Sequence, residues 1–223
     1  MYSGDNREYF PMNVHGGVAQ SGATISTAAG SYYPWIMGWL TWDASSHNTN
    51  AHYLTSDNYS VLGRYGGRSQ QIFKCPADNR VSPTQARLGW SERVRSVSMN
   101  GAIGRGNKVA TDGLLNCEKI FEKTTDVTRP APANLWVFVD EHPDSINDGA
   151  FFNAHRNYEW IDLPSNQHNG ACGFAFADGH SEIHKWRSSV LARKVLFQDL
   201  ARQAVSPQDQ DFLWTIQRTS FLP

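Results

Sequence analysis

Five histidine and acidic residues fall within one short stretch of the chain: His168, Asp178, His180, Glu182 and His184. His180, Glu182 and His184 alternate along a strand-like run, so their side chains share one face. Two imidazoles on one face, joined by a third, give the zinc donor set His168, His180 and His184, with Asp178 as a further oxygen ligand. The same alternation also describes a solvated polar strand face, because strand residues two apart seldom converge on one ion unaided. A second group follows a strongly apolar run. Asp140, Asp144, Asn147 and Asp148 place oxygen donors in a turn-rich loop, a chemistry suited to calcium, although the spacing is not that of an EF-hand and acidic residues also serve turns. If His168, Asp178, His180, Glu182, His184 and Asp140 converged, they would suffice for a metal-assisted hydrolase. No G-x-S-x-G, H-E-x-x-H or P-loop accompanies them, and Ser181 and His180, as strand neighbours, point to opposite faces. No catalytic residue is assigned.

The element that must carry these groups is a hairpin. Asp178-Gly179 between two strand-like runs predicts a two-residue turn with both residues at positive φ. That turn sets Ala177 opposite His180, Phe176 opposite Ser181, Ala175 opposite Glu182, Phe174 opposite Ile183 and Gly173 opposite His184. One face is then Phe174, Phe176 and Ile183, turned to the core. The polar face holds His180, Glu182 and His184 over small partners.

Asn134 to Asp140 is a continuous apolar run of the kind buried on both faces, and it reads as the central strand. Arg93 to Met99 alternates as a half-buried strand, turned at Asn100-Gly101. Val61-Leu62 and Ile72-Phe73 read as short strand pieces leading into a turn at Cys75-Pro-Ala-Asp-Asn. Trp35, Trp39 and Trp42 fall at helical spacing, a core-packing face or an aromatic platform for a glycan, with Trp90 and Trp160 as further rings. Ser188 to Ala204 reads as a short amphipathic helix ended by Pro207, and the tail from Asp211 is apolar enough to dock back.

With 223 residues, 8 Trp, 11 Phe and 8 Tyr, the chain should fold around a real core as a single domain. A net charge of -1 supplies no field to attract nucleic acid or an anionic membrane. No apolar stretch approaches the roughly 18–20 residues that span a bilayer. Three cysteines, Cys75, Cys117 and Cys172, allow at most one bridge beside one buried thiol.

His168-Asn-Gly-Ala-Cys-Gly-Phe-Ala-Phe-Ala-Asp178-Gly179 resembles the signature of the prepilin-type processing-associated H-x9-D-G proteins, pseudopilin-like members of the type II secretion and type IV pilus superfamily. Phe73-Lys-Cys-Pro-Ala-Asp78, Val97-Ser-Met-Asn-Gly101, the loop from Val139 to Gly149 and the opening residues Met1 to Pro11 resemble members of the same group in the same order. The resemblance runs from residue 1 to about residue 219. It implies an α+β, pilin-like headpiece. Residues 1–10 would be the end of an N-terminal helix, 11–133 a long αβ loop with short strands, 134–187 the central strand and hairpin of an antiparallel sheet, and 188–223 a C-terminal helix and tail. The cleavage site and long apolar helix of the family are not in the sequence, so Met1 would lie near that helix's C-terminal end. The implied role is a non-catalytic subunit at the periplasmic face of the inner membrane, meeting other pseudopilins and the secretion machinery. In that compartment a Cys75–Cys117 bridge is permitted, with Cys172 the better candidate for a free thiol. His168, Asp178 and Gly179 would be structural, His168 pinning the connection before the hairpin across to the hairpin or the Asp140 loop.

Overall fold

A computed structural model describes residues 1–21, 25–27, 30–32, 34–105 and 119–221, with backbone alone for 25–27 and 30–32. Its helices are α1 (Tyr2–Asp5), α2 (Gly16–Ser21), α3 (His52–Thr55), α4 (Pro83–Arg87) and α5 (Gln210–Thr219). The strands are β1 (Ile25–Thr27), β2 (Gly30–Tyr32), β3 (Val97–Asn100), β4 (Trp136–Asp140), β5 (Ala150–Phe151), β6 (Asn153–Ala154), β7 (Glu159–Trp160), β8 (Ala171–Phe176), β9 (Ser181–Lys185) and β10 (Gln203–Ala204). The architecture is α+β. A five-stranded sheet runs β5-β3-β4-β8-β9, a three-stranded antiparallel sheet runs β10-β7-β6, and β1 pairs with β2. Among the described residues no helix is long and apolar enough to cross a membrane.

The apolar run 134–140 does form the middle strand, β4. The large sheet is mixed rather than antiparallel, because β5 lies parallel to β3 while the other pairs are antiparallel. Each face of β4 and β8 buries a separate core. Trp136, Val139, Phe174 and Phe176 pack beneath α5 with Trp160, Trp186 and Phe212. On the opposite face Met99, with Val97 and Phe138 at its margin, meets Trp35, Leu54 and Phe73 from the long N-terminal region. Phe174 sits edge-on to Trp136, Trp186 and Trp214, a geometry that aromatic quadrupoles favour.

The hairpin forms with a different register. Gly179 N donates to Phe176 O and Phe176 N to His180 O, so the loop is the three residues Ala177–Gly179, with Gly179 alone at φ +95. A type I turn closed by a left-handed glycine is the three-residue alternative to the two-residue turn. The slip of one residue exchanges the faces of β9 relative to β8. Phe174 now faces Glu182, Gly173 faces Ile183 and Cys172 faces His184. Ile183 is therefore 68% exposed instead of joining the core, while His180 stacks on Phe176 and His184 on Trp214.

Other expectations change for tertiary reasons. Residues 188–204 form turns and β10, not a helix. The Asp144 carboxylate takes the amides of Leu196 and Phe197, and Phe197 adopts φ +59, which no helix accommodates. The C-terminal helix lies further on, as α5, where Asp209 caps its first amides. Buried Asp211 anchors α5 by accepting from Arg187 N and Ser188 N. The N-terminal helix is only the single turn α1. Trp35, Trp39 and Trp42 lie on irregular chain, and Ile72-Phe73 ends a 3-10 helix, Gln70–Phe73, rather than a strand.

Candidate functional site

Val97, Asp140, Gly173 and Ile183 form one row across β3, β4, β8 and β9, with side chains on the same face. Gly173 makes room in that row. A Cβ there would stand 3.0 Å from Asp140 Oδ2, so the missing side chain leaves the space the carboxylate occupies. Just before β8 a tight turn places His168. Gly170 N donates to Asn166 O, and Asn169 and Gly170 take φ +57 and +78, conformations these two residue types tolerate best. His168 Nε2 then lies 3.3 Å from Asp140 Oδ2. The third member comes from far away in sequence. Cys75 begins a turn closed by Asp78 N on Cys75 O, Pro76 fixes its first corner, and Cys75 N donates to Ser96 Oγ. Cys75 Sγ lies 3.3 Å from the same His168 Nε2. These three are the described residues whose potential ligand atoms cluster, all within 4.8 Å of one another.

Burial raises the Asp140 carboxyl above its ordinary pKa, and the His168 contact partly offsets this. Burial, then the Asp140 charge, raises the Cys75 thiol. In a thiol–imidazole–carboxylate relay the two ring nitrogens face different partners, one the nucleophile and one the orienting acid. Here a single nitrogen meets both Cys75 and Asp140. The arrangement is that of a ligand set. Asp140 and His168 open onto a cavity of about 800 Å³ over the sheet, walled by Trp35, Phe73, Phe138 and Ile183.

Glu141, the next residue, points the other way into a closed network. Its carboxyl accepts from Ser98 Oγ and Ser145 Oγ, and burial pushes its pKa up to about 8. Arg95, fully buried, donates to Val97 O, Ser98 Oγ and Asn147 O. Arg93 donates to Pro143 O and stacks on Trp42 at 3.8 Å. Burial lowers both arginines to about 10.

The predicted calcium loop does not converge. Asp144 is occupied by Leu196 N and Phe197 N, Asp148 by Gly16 N and Ala150 N, and Asn147 Oδ1 by Asp148 N, while Asp140 turns to His168. Each of these side chains has its own partners instead of a shared centre. The predicted zinc triad is likewise dispersed: His180 bonds Asp178 beside the turn, His184 lies against Trp214 near Asp211, and only His168 joins the cluster. Asp178 and Gly179 shape the hairpin loop. Cys117 lies outside the described residues, whereas Cys75 and Cys172 are buried free thiols. Trp35 and Trp160 are buried in opposite cores, so the tryptophans form no common platform.

Sequence reasoning missed the partnership of Cys75 with His168. The available signal was Cys75-Pro76-Ala77-Asp78, a turn that folds backbone amides back toward the sulfur. Arg93 and Arg95 were equally hidden, since alternation marks them for solvent. Comparison with protein-family models, curated proteins and solved structures finds no match for this chain.

Proposed function

We propose that the chain is the globular part of a pseudopilin-like H-x9-D-G subunit, which acts through contacts with other subunits of a secretion or pilus-like envelope assembly. The observation that carries this reading is the use of the motif itself. His168 ties the connection before β8 to the end of the central strand through Asp140, and Asp178 and Gly179 shape the loop that joins β8 to β9. The motif residues thus serve the fold, which leaves the outer surfaces of the subunit to make its contacts. The α+β core, with a mixed sheet backed by one C-terminal helix, is compatible with a pilin-like headpiece. A location at the periplasmic face of the inner membrane belongs to the same reading.

The test is fractionation of the native cell followed by affinity purification of the tagged gene product from detergent-solubilised envelope. Recovery in the envelope together with pilin-like subunits is the expected result. Recovery wholly in the cytosol, without such subunits, overturns the reading.

A further inference from the structure

The geometry points to a binding site for one zinc-class divalent cation, held by Cys75 Sγ, Asp140 Oδ2 and His168 Nε2, with a fourth coordination position open toward the cavity on the sheet face. The donor set selects the ion. One sulfur, one imidazole nitrogen and one carboxylate oxygen suit zinc, whereas calcium and magnesium take oxygen ligands. Distances agree with this choice. Tetrahedral zinc, with bonds of about 2.3 Å to sulfur and about 2.0–2.1 Å to nitrogen or oxygen, holds sulfur and nitrogen about 3.5 Å apart and nitrogen and oxygen about 3.3 Å apart. Both corresponding edges here measure 3.3 Å.

Hydrogen bonding alone accounts less well for the cluster. His168 Nε2 carries one proton or one lone pair, yet it lies equally close to a thiol and a carboxylate. One ion between the three groups serves all of them. The surroundings also resemble the outer shell of a metal site. The amides of Ala77 and Asp78 face the Cys75 sulfur, and the amide of Gly173 faces the Asp140 carboxylate. Entry is available, because the His168 and Asp140 side chains keep 31% and 16% of their surface exposed. On binding, Cys75 would release its thiol proton to solvent and bind as the thiolate; no oxidation is involved. Three protein ligands leave the fourth position for a water, or for a donor atom that arrives through the cavity.

The test is titration of the reduced full chain with cobalt(II), a spectroscopic stand-in for zinc, followed by displacement with zinc. One equivalent should give tetrahedral d–d bands with a sulfur-to-cobalt charge-transfer band, and zinc should abolish both. Cys75→Ser should remove the charge-transfer band. His168→Gln should weaken binding at least about 100-fold, the upper end of what loss of an outer-shell partner costs, and His52→Gln, an exposed position on α3, should change neither readout. A wild-type chain without the charge-transfer band at one equivalent overturns the proposal, and so does a band that survives Cys75→Ser. The wild-type titration decides alone should Cys75→Ser fail to fold. None of these readouts depends on the chain's place in an envelope assembly.

Discussion

Asp140 and Glu141 are neighbours at the end of one strand, and they point into two different kinds of chemistry. Glu141 enters a closed compartment where two serine hydroxyls bond its carboxyl and a fully buried Arg95 lies opposite. Asp140 faces the groove, where its side-chain partners are an imidazole and, beyond that, a thiol. Strand alternation explains the divergence of direction. What differs is how completely the donors and acceptors are matched. On the Glu141 side backbone carbonyls and hydroxyls satisfy nearly every polar group, so the network is fixed structure. On the Asp140 side backbone amides meet the sulfur and the carboxylate, but both also crowd one ring nitrogen, the arrangement on which the proposed metal site rests.

The comparison is broken most forcefully on its closed side. Arg95→Ala would leave Val97 O without its side-chain donor and take one of two donors from Asn147 O, which keeps Leu40 N, while Ser98 Oγ keeps its bond to Glu141. We expect a loss of about 2–4 kcal/mol in urea unfolding, from a buried carbonyl left unpaired and the lost packing of the arginine side chain. A loss under about 1 kcal/mol would mean that this compartment is as loosely matched as the groove.

The closed side also predicts a pH dependence of defined sign. The folded Glu141 carboxyl holds its proton up to about pH 8, whereas the unfolded chain releases it near 4.5. The folded state therefore binds more protons across that window, and this site's contribution is complete below it and declines as pH rises through it. Asp148 and Asp162, also raised by burial, act in the same direction. His142 and His155, lowered by burial, act oppositely, costing stability as pH falls below 6.5. Glu141→Gln isolates the first effect, because the amide imitates the neutral acid. The drop in unfolding midpoint between about pH 6 and about pH 8 should be smaller in the variant than in the wild type. Equal drops would show that Glu141 is ionised in the fold.

How much of this was legible in the sequence follows the same division. The central strand was readable because Leu135 to Val139 is apolar without interruption, and the hairpin because Asp178-Gly179 is turn chemistry. Its register was not, since two- and three-residue loops both use a glycine after a polar residue, and one residue of slip moves Ile183 from core to surface. The C-terminal helix was misplaced because Val190 to Ala204 has helical periodicity, while the Asp144 carboxylate that captures its amides lies some 50 residues away. Asp140 and His168 were both singled out, in separate calcium and zinc sets and together among the residues of a candidate metal-assisted hydrolase, and the contact of His168 with the Asp140 loop was expected. Cys75 joined none of these sets, because what unites the three is the packing of a turn against the sheet, which periodicity does not encode.

Smaller effects belong to the groove. His168→Ala removes the tie between the Asn166–Gly170 turn and β4, a contact whose side chains are partly solvated. We expect a loss of about 0.5–1 kcal/mol for the metal-free chain, read as a lowered melting temperature. An unchanged melting temperature would remove the structural role assigned to this histidine.

Ile183→Thr should have the smallest effect, and it tests the register on which the groove depends. In the observed pairing Ile183 stands opposite Gly173, on the Asp140 side of the sheet, with most of its surface in solvent. Threonine keeps the β-branch that strands favour and gives up little buried area, so the change in unfolding free energy should stay within about 0.5 kcal/mol. The two-residue turn would place Ile183 opposite Phe174 among Trp136, Trp186 and Trp214, where a hydroxyl in place of an ethyl group would cost about 1–3 kcal/mol. A loss of that size would return Ile183 to the core and take it out of the groove wall, while Gly173, set by the β4–β8 register, stays beside Asp140.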